Sequence, residues 1–93
     1  MDYDDIVSKT LAIMAKNHRT LLSGSSVPID PILRKLKKFS SLSIDDVAEI
    51  FDDLAHPPYD WIKYTEPGKA IGNSFTITPL GKKAINNFRE PWN

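Results

Sequence analysis

Basic residues are concentrated in one short segment, Arg34-Lys35-Leu36-Lys37-Lys38, in which four of the five side chains are cationic. Cations at this density can contact the phosphates of a nucleic-acid backbone, or they can form the solvated face of a helix. Two further cations, Lys63 and Lys69, lie on either side of Glu66 in a region rich in turn residues. The sequence therefore predicts candidate contacts to double-stranded DNA at Arg34, Lys35, Lys37, Lys38, Lys63 and Lys69.

The segment that follows is acidic. Residues 43–55 carry five carboxylates, Asp45, Asp46, Glu49, Asp52 and Asp53, and no base. The dipole of a helix stabilises acids in its first turn by roughly 0.3–1 kcal/mol and opposes them in its last turn. Asp52 and Asp53 therefore need compensation, either from the cations of residues 34–38 or from a basic partner.

This acidic segment predicts an alternative function, which is docking on a basic protein surface. The candidate residues are Asp45, Glu49, Asp52, Asp53 and Trp92. Trp92 lies one residue from the end of the given sequence. A tryptophan there either folds back onto the domain or contacts a partner or a second copy.

Catalytic and metal-binding patterns are not apparent in this sequence. It has no cysteine, and neither His18 nor His56 has a partner at the spacing of metal ligands. The run from Ser23 to Ser26 lacks the lysine and the preceding strand of a phosphate-cradling loop. We therefore expect no metal, no cofactor and no enzymatic activity.

A length of 93 residues is that of one small domain, which we assign to residues 1–93. Twelve bases balance twelve acids, so the net charge is zero. The charges are nevertheless segregated, because residues 9–39 hold seven bases and one acid whereas residues 40–60 hold six acids and no base. The acidic N-terminus, the short apolar runs and the lack of cysteine predict a soluble cytoplasmic protein without a membrane segment.

Apolar residues at spacings of three and four predict a first and a second helix. The first runs from Asp5 to Leu22, and its buried stripe consists of Ile6, Val7, Leu11, Ile13, Met14, His18 and Leu21. A Ser/Gly loop and an extended Val27-Pro28 segment follow. Asp30 is the predicted N-cap of the second helix, with Pro31 at its first position. The buried stripe of this helix consists of Ile32, Leu33, Leu36 and Phe39.

A third helix is predicted to begin at Ser43, with Asp46 completing a short capping box and Leu42 packing on Val47. Its apolar face consists of Val47, Ile50, Phe51 and Leu54, and His56-Pro57-Pro58 ends it. The spacing then changes to the twofold repeat of strands over residues 61–65 and 75–78. The turn residues between them predict a β-hairpin with a long tip.

A last helix follows the hairpin directly. Thr78 is its predicted cap and Pro79 its first residue, and Pro91 is predicted to end it. Its buried residues are predicted to be Leu80, Ala84, Ile85 and Phe88. The predicted fold class is thus α+β and mainly helical, with three helices, a hairpin and a C-terminal helix.

This order of elements resembles that of a winged helix-turn-helix domain. The most specific part is Phe75-Thr76-Ile77-Thr78-Pro79-Leu80-Gly81-Lys82-Lys83-Ala84-Ile85. It resembles the end of the wing and the start of the last helix in small bacterial and archaeal winged-helix transcriptional regulators, including the multiple-antibiotic-resistance repressor type. The resemblance extends from about residue 29 to residue 88. It implies a DNA-binding regulator whose third helix enters the major groove and whose wing contacts the backbone or the minor groove.

The third helix departs from that pattern because its carboxylates would be repelled by phosphates. We therefore expect backbone contact through the second helix and the wing, and docking of the acidic third helix on a basic protein remains the alternative. Regulators of the type that this sequence resembles often form dimers through their first and last helices. A homodimer is therefore possible.

Overall fold

A computed structural model describes residues 3–89 and shows a small, mainly helical α+β fold. Within these residues the elements are α1 (Tyr3–Lys16), α2 (His18–Leu22), β1 (Val27–Pro28), α3 (Asp30–Lys38), α4 (Ile44–Asp53), β2 (Ile62–Tyr64), β3 (Ser74–Ile77) and α5 (Pro79–Arg89). The predicted second, third and last helices are therefore α3, α4 and α5. The predictions for Pro91 and Trp92 fall outside the described residues.

The predicted first helix is divided in two at Asn17, which has φ −101° and ψ 19°. The Asn17 side chain donates a hydrogen bond to the carbonyl of Ile13 at 2.9 Å. Asparagine side chains compete in this way with the helical backbone pattern. The prediction of one continuous helix was wrong for that reason, and α2 begins at His18.

Helix α3 begins at the predicted place but is not capped as predicted. Ile29 occupies the N-cap position without a side-chain hydrogen bond, and Pro31 lies in the first turn. The Asp30 carboxylate instead accepts a hydrogen bond from the backbone N–H of Gly72 at 2.9 Å. Phe39, predicted to be buried, is 51% exposed, because α3 ends at Lys38 and Phe39 follows it outside the helix.

Helix α4 begins as its sequence predicts. The Ser43 hydroxyl accepts a hydrogen bond from the Asp46 N–H at 3.1 Å, which confirms the N-cap. The helix ends at Asp53, before the predicted His56-Pro57-Pro58 stop. The Leu54 carbonyl that follows accepts a hydrogen bond from the Trp61 N–H at 2.8 Å, so the end of α4 is joined to the start of the sheet.

The sheet has three antiparallel strands in the order β1-β3-β2. The predicted hairpin is confirmed, and its register pairs Ile62 with Ile77 and Tyr64 with Phe75. The extended Val27-Pro28 segment adds a short third strand, in which Val27 pairs with Phe75. The central strand β3 is therefore paired on both sides, with β1 from before α3 and with β2 of the hairpin.

Helix α5 begins with the predicted Thr78 cap, since the Thr78 hydroxyl accepts a hydrogen bond from the Gly81 N–H at 3.1 Å. Leu80 is 51% exposed, so its predicted burial was wrong. Gly81 faces the sheet in its place, and a Cβ at this position would lie 2.1 Å from the carbonyl oxygen of Trp61. The helix starts so close to the chain at Trp61 that only a glycine fits there.

One core lies between the helices and the sheet. Phe51 of α4 and Phe75 of β3 are fully buried, and their rings meet edge to face at 5.6 Å between centroids. Helix α1 packs on α3, α4 and α5. The fully buried apolar side chains that join these elements are Ile6, Met14, Leu21, Ile29, Leu36, Val47, Leu54 and Ile85.

Candidate interaction surfaces on helices α3 and α4

The four predicted cations of α3 share the outer side of that helix. Arg34, Lys35, Lys37 and Lys38 are all exposed. The opposite side is occupied by Ile32, Leu33 and Leu36, which are buried in the core. A helix with a period of 3.6 residues separates these two sets, so the cations form one continuous surface.

A further cation extends this surface onto α1. The Lys9 Nζ atom lies 4.9 Å from the ring centroid of Phe39, which is a cation–π distance. Lys9 and Phe39 are both exposed. Sequence spacing could not identify this contact, because the two residues are 30 positions apart. We call Lys9, Arg34, Lys35, Lys37, Lys38 and Phe39 the basic face.

The outer side of α4 carries the opposite charge. Asp45, Asp46, Glu49 and Asp53 are exposed, and Asp52 is half-buried. Val47, Ala48 and Phe51 occupy the buried side of the same helix. Asp45 and Asp46 lie in the first turn, where the helix dipole favours them.

The two carboxylates of the last turn are partnered by hydroxyl and backbone donors. Asp52 accepts hydrogen bonds from the Tyr64 hydroxyl and from the Ala70 N–H, the latter at 3.0 Å. Asp53 accepts a hydrogen bond from the Tyr3 hydroxyl at 2.8 Å. These partners replace the α3 lysines that the sequence suggested, so the cations of the basic face are not needed to compensate this end of α4.

The Tyr64 hydroxyl donates its hydrogen bond to Asp52 as a neutral phenol. Burial of the hydroxyl, together with its hydrogen bond to the Asp52 carboxylate, raises the pKa of Tyr64 above its usual value. The phenol therefore remains protonated at neutral pH. The Asp52 carboxylate thereby faces the hairpin.

An open groove of about 550 Å³ lies beside α4. Leu42 and Ile50, both half-buried, supply its apolar surface, and Tyr3 borders it from α1. Four carboxylates surround these residues, and we call the whole surface the acidic groove: Tyr3, Leu42, Asp46, Glu49, Ile50, Asp52 and Asp53. Of the predicted partner-binding residues, Glu49, Asp52 and Asp53 line this groove and Asp45 does not. The prediction did not include Asp46 or Tyr3, and no local spacing relates Tyr3 of α1 to α4.

The tip of the hairpin is folded against α3 and α4. Asn73, which is nearly buried, organises the tip by accepting from the Ser74 N–H at 2.8 Å and donating to the Glu66 carbonyl at 2.9 Å. Asp30 and Asp52 then hold the backbone of the tip from outside, at Gly72 and Ala70. The tip is therefore attached to both helices.

The two predicted cations of the hairpin have different surroundings. Lys69 borders a shallow groove of about 300 Å³ together with Asp45, Glu49 and Asp52. Lys63 is exposed on β2, where it alternates with the buried Ile62. The structure thus brings together the four α3 residues of the predicted DNA-contact set and places Lys69 among carboxylates.

Among residues 3–89, no three histidine, aspartate or glutamate side chains come together in a way that could hold a metal ion. In the same part of the chain, no helix has the length and apolar character required to cross a membrane. Comparison with known protein families, curated proteins and solved structures found no match to this chain.

Proposed function

We propose that this chain is a winged helix-turn-helix protein that binds the phosphate backbone of DNA through the basic face. The order of α1, β1, α3, α4, β2 and β3, with β3 at the centre of the sheet, supports this fold assignment. In the proposed fold, α3 and α4 form the helix-turn-helix and the hairpin is the wing. The resemblance of residues 75–85 to winged-helix regulators is the reason for proposing a role in transcription regulation.

The observation that carries the proposal is the basic face itself. Five cations from α1 and α3 are exposed on one continuous surface, and Phe39 adds an aromatic ring among them. Each cation that neutralises a phosphate releases condensed counterions, which is the main source of sequence-independent affinity for DNA. Contact of this kind positions a protein on DNA without reading its base sequence.

Reading of the major groove by α4 is not part of the proposal. Four exposed carboxylates cover the outer side of that helix, and Lys69 of the hairpin tip borders two of them, Asp45 and Glu49. Two like charges at 4 Å repel by about 1 kcal/mol even in bulk water, and by more where water is excluded. Insertion of α4 between two phosphate chains would repeat this cost several times.

The test is a titration of isotope-labelled protein with a duplex of roughly 20 base pairs, followed by backbone amide NMR at low and moderate salt. We expect salt-sensitive shifts over residues 34–39 and at Lys9, with dissociation constants of about 10⁻⁴–10⁻⁶ M. The triple variant Lys35→Ala, Lys37→Ala, Lys38→Ala should weaken binding to every duplex sequence at least tenfold. Its salt slope should fall by about 3, because about one counterion is released per phosphate contact.

The matched control removes two exposed cations elsewhere. Lys82 and Lys83 are exposed on α5, and their replacement by alanine should leave the affinity within about twofold. The proposal fails if wild-type protein shows no shifts with about 1 mM duplex at low salt. It also fails if the α5 variant loses as much affinity as the α3 variant, because binding would then follow total charge rather than the basic face.

A further inference from the structure

We propose that the acidic groove of one molecule is occupied by the basic face of a second copy, and that the pairing is reciprocal. The acidic groove carries four carboxylates. The basic face carries five cations and is built from the same small domain. Each copy therefore presents both members of a complementary pair, which is the requirement for a closed two-fold dimer.

Apolar complementarity reinforces the match of charges. Phe39 is 51% exposed on the basic face and follows Lys37 and Lys38 directly in the sequence. The acidic groove presents Leu42 and Ile50 between its carboxylates. The two surfaces are complementary in charge, because cations surround Phe39 and carboxylates surround Leu42 and Ile50. They are also complementary in apolar surface, and contact between Phe39 and the groove removes that surface from water.

The basic face and the acidic groove both border helix α1, so they lie close to one another on the domain. Lys9 covers Phe39, and Tyr3 borders the acidic groove. These two residues of α1 are six positions apart, which corresponds to about 9 Å along a helix. The two surfaces are thus neighbours on the domain, and a two-fold axis passing between them would let each basic face meet the acidic groove of the other copy.

Pairing would also occupy the cations that the proposed function assigns to DNA. Carboxylates of a second copy and phosphates of a duplex would then compete for Lys35 and Lys38. The pairing itself does not depend on DNA binding, and the two proposals are measured separately. Self-association is therefore tested in the absence of nucleic acid.

The experiment is sedimentation equilibrium of the full chain between about 10 µM and 1 mM, at low salt and at 0.5 M salt. We expect a monomer–dimer equilibrium that weakens at least tenfold at high salt, since screening reduces attraction between exposed charges. Two charge-reversal variants are compared. One carries Lys35→Glu and Lys38→Glu on the basic face, and the other carries Glu49→Lys and Asp53→Lys in the acidic groove.

Each reversal variant alone should associate about tenfold more weakly than the wild type or not at all, because one loses most of the positive charge of the basic face and the other loses the net negative charge of the acidic groove. An equimolar mixture of the two should recover a dimer, because one of its contacts is that of the wild type and the other places the introduced glutamates opposite the introduced lysines. Circular dichroism checks that both variants are folded. A Phe39→Ala variant should weaken the wild-type dimer several-fold with no change of charge, whereas Lys82→Glu with Lys83→Glu on α5 should leave it intact.

Several outcomes would overturn the proposal. If wild-type protein remains monomeric at 1 mM and low salt, a second copy is excluded as the occupant of the acidic groove. The groove is then titrated with a peptide that contains lysine and leucine. Shifts of the amides of residues 46–53 would show that a basic protein is the partner instead. Failure of the mixed variants to associate excludes this pair of surfaces. Species larger than dimers exclude the reciprocal arrangement. Self-association is measured without nucleic acid, so neither outcome decides whether the basic face of the wild-type protein binds a duplex.

Discussion

Asp52 shows how a single side chain joins distant parts of this fold. Its carboxylate accepts from the Tyr64 hydroxyl on β2 and from the Ala70 N–H in the hairpin tip. Hydrogen bonds to charged groups contribute about 1.5–3 kcal/mol. A carboxylate opposed by the dipole at the end of α4 is thus stabilised by donors that the hairpin supplies.

Gly81 is the position at which a single methyl group should matter most. We expect Gly81→Ala to lower the free energy of unfolding by about 3 kcal/mol, because overpacking of a tight contact costs about 1–3 kcal/mol and here the obstacle is backbone. The new Cβ would lie 2.1 Å from the Trp61 carbonyl oxygen and 2.6 Å from Ile77 Cγ1. Chemical denaturation of both proteins measures the difference.

Lys82→Ala supplies the comparison, since it adds no atom and Lys82 is exposed in the same helix. It should change stability by no more than about 0.5 kcal/mol. If Gly81→Ala proves as stable as Lys82→Ala, α5 does not approach Trp61 as closely as the structure shows.

At the scale of elements, the hairpin and α3 are coupled through Asp30. We expect Asp30→Ala to free the tip, because the Gly72 N–H would lose its acceptor at 2.9 Å. Hydrogen exchange at Gly72 should accelerate at least tenfold, and stability should fall by about 1 kcal/mol. Amide exchange measured by NMR reports both the site and the size of the effect.

Asp30→Asn separates the hydrogen bond from the charge. Asparagine keeps an acceptor oxygen in nearly the same position, so exchange at Gly72 should remain close to that of the wild type. Equal acceleration in both variants would show that the negative charge near the start of α3, rather than the bond to the tip, orders this region.

At the scale of the whole molecule, one core connects every element that bears a candidate surface. Phe51 lies behind the acidic groove, and its ring contacts Phe75 at the centre of the sheet. Phe51→Ala should therefore cost about 3–5 kcal/mol. This is a large share of the roughly 5–14 kcal/mol expected for a domain of this length.

Unfolding of the Phe51→Ala variant should remain cooperative, with circular dichroism and tryptophan fluorescence giving the same midpoint. Ile71→Ala is the control, because Ile71 is 53% exposed at the hairpin tip, and its loss should cost less than about 1 kcal/mol. Separate transitions in the two signals would mean that α4 and the sheet fold as independent units.

Local signals in the sequence were enough to locate most of the elements. The Ser43 cap, the apolar period of α3 and α4, and the turn residues of the hairpin depend on neighbours within a few positions, and the structure confirms them. The same period placed Arg34, Lys35, Lys37 and Lys38 on one exposed side of α3. These features are short-range, so no knowledge of the folded chain is needed to infer them.

Contacts between residues far apart in the chain could not be predicted from local sequence signals. Asp30 had the sequence of an N-cap, yet its carboxylate binds an N–H 42 positions away. Asp52 was expected to need a cation and instead met a tyrosine and a backbone donor. A carboxylate gains similar free energy from a local or a distant N–H, so the choice depends on which donor the packed core brings within reach. For the same reason, only the folded molecule brings Lys9 into contact with Phe39 and places Tyr3 beside the acidic groove.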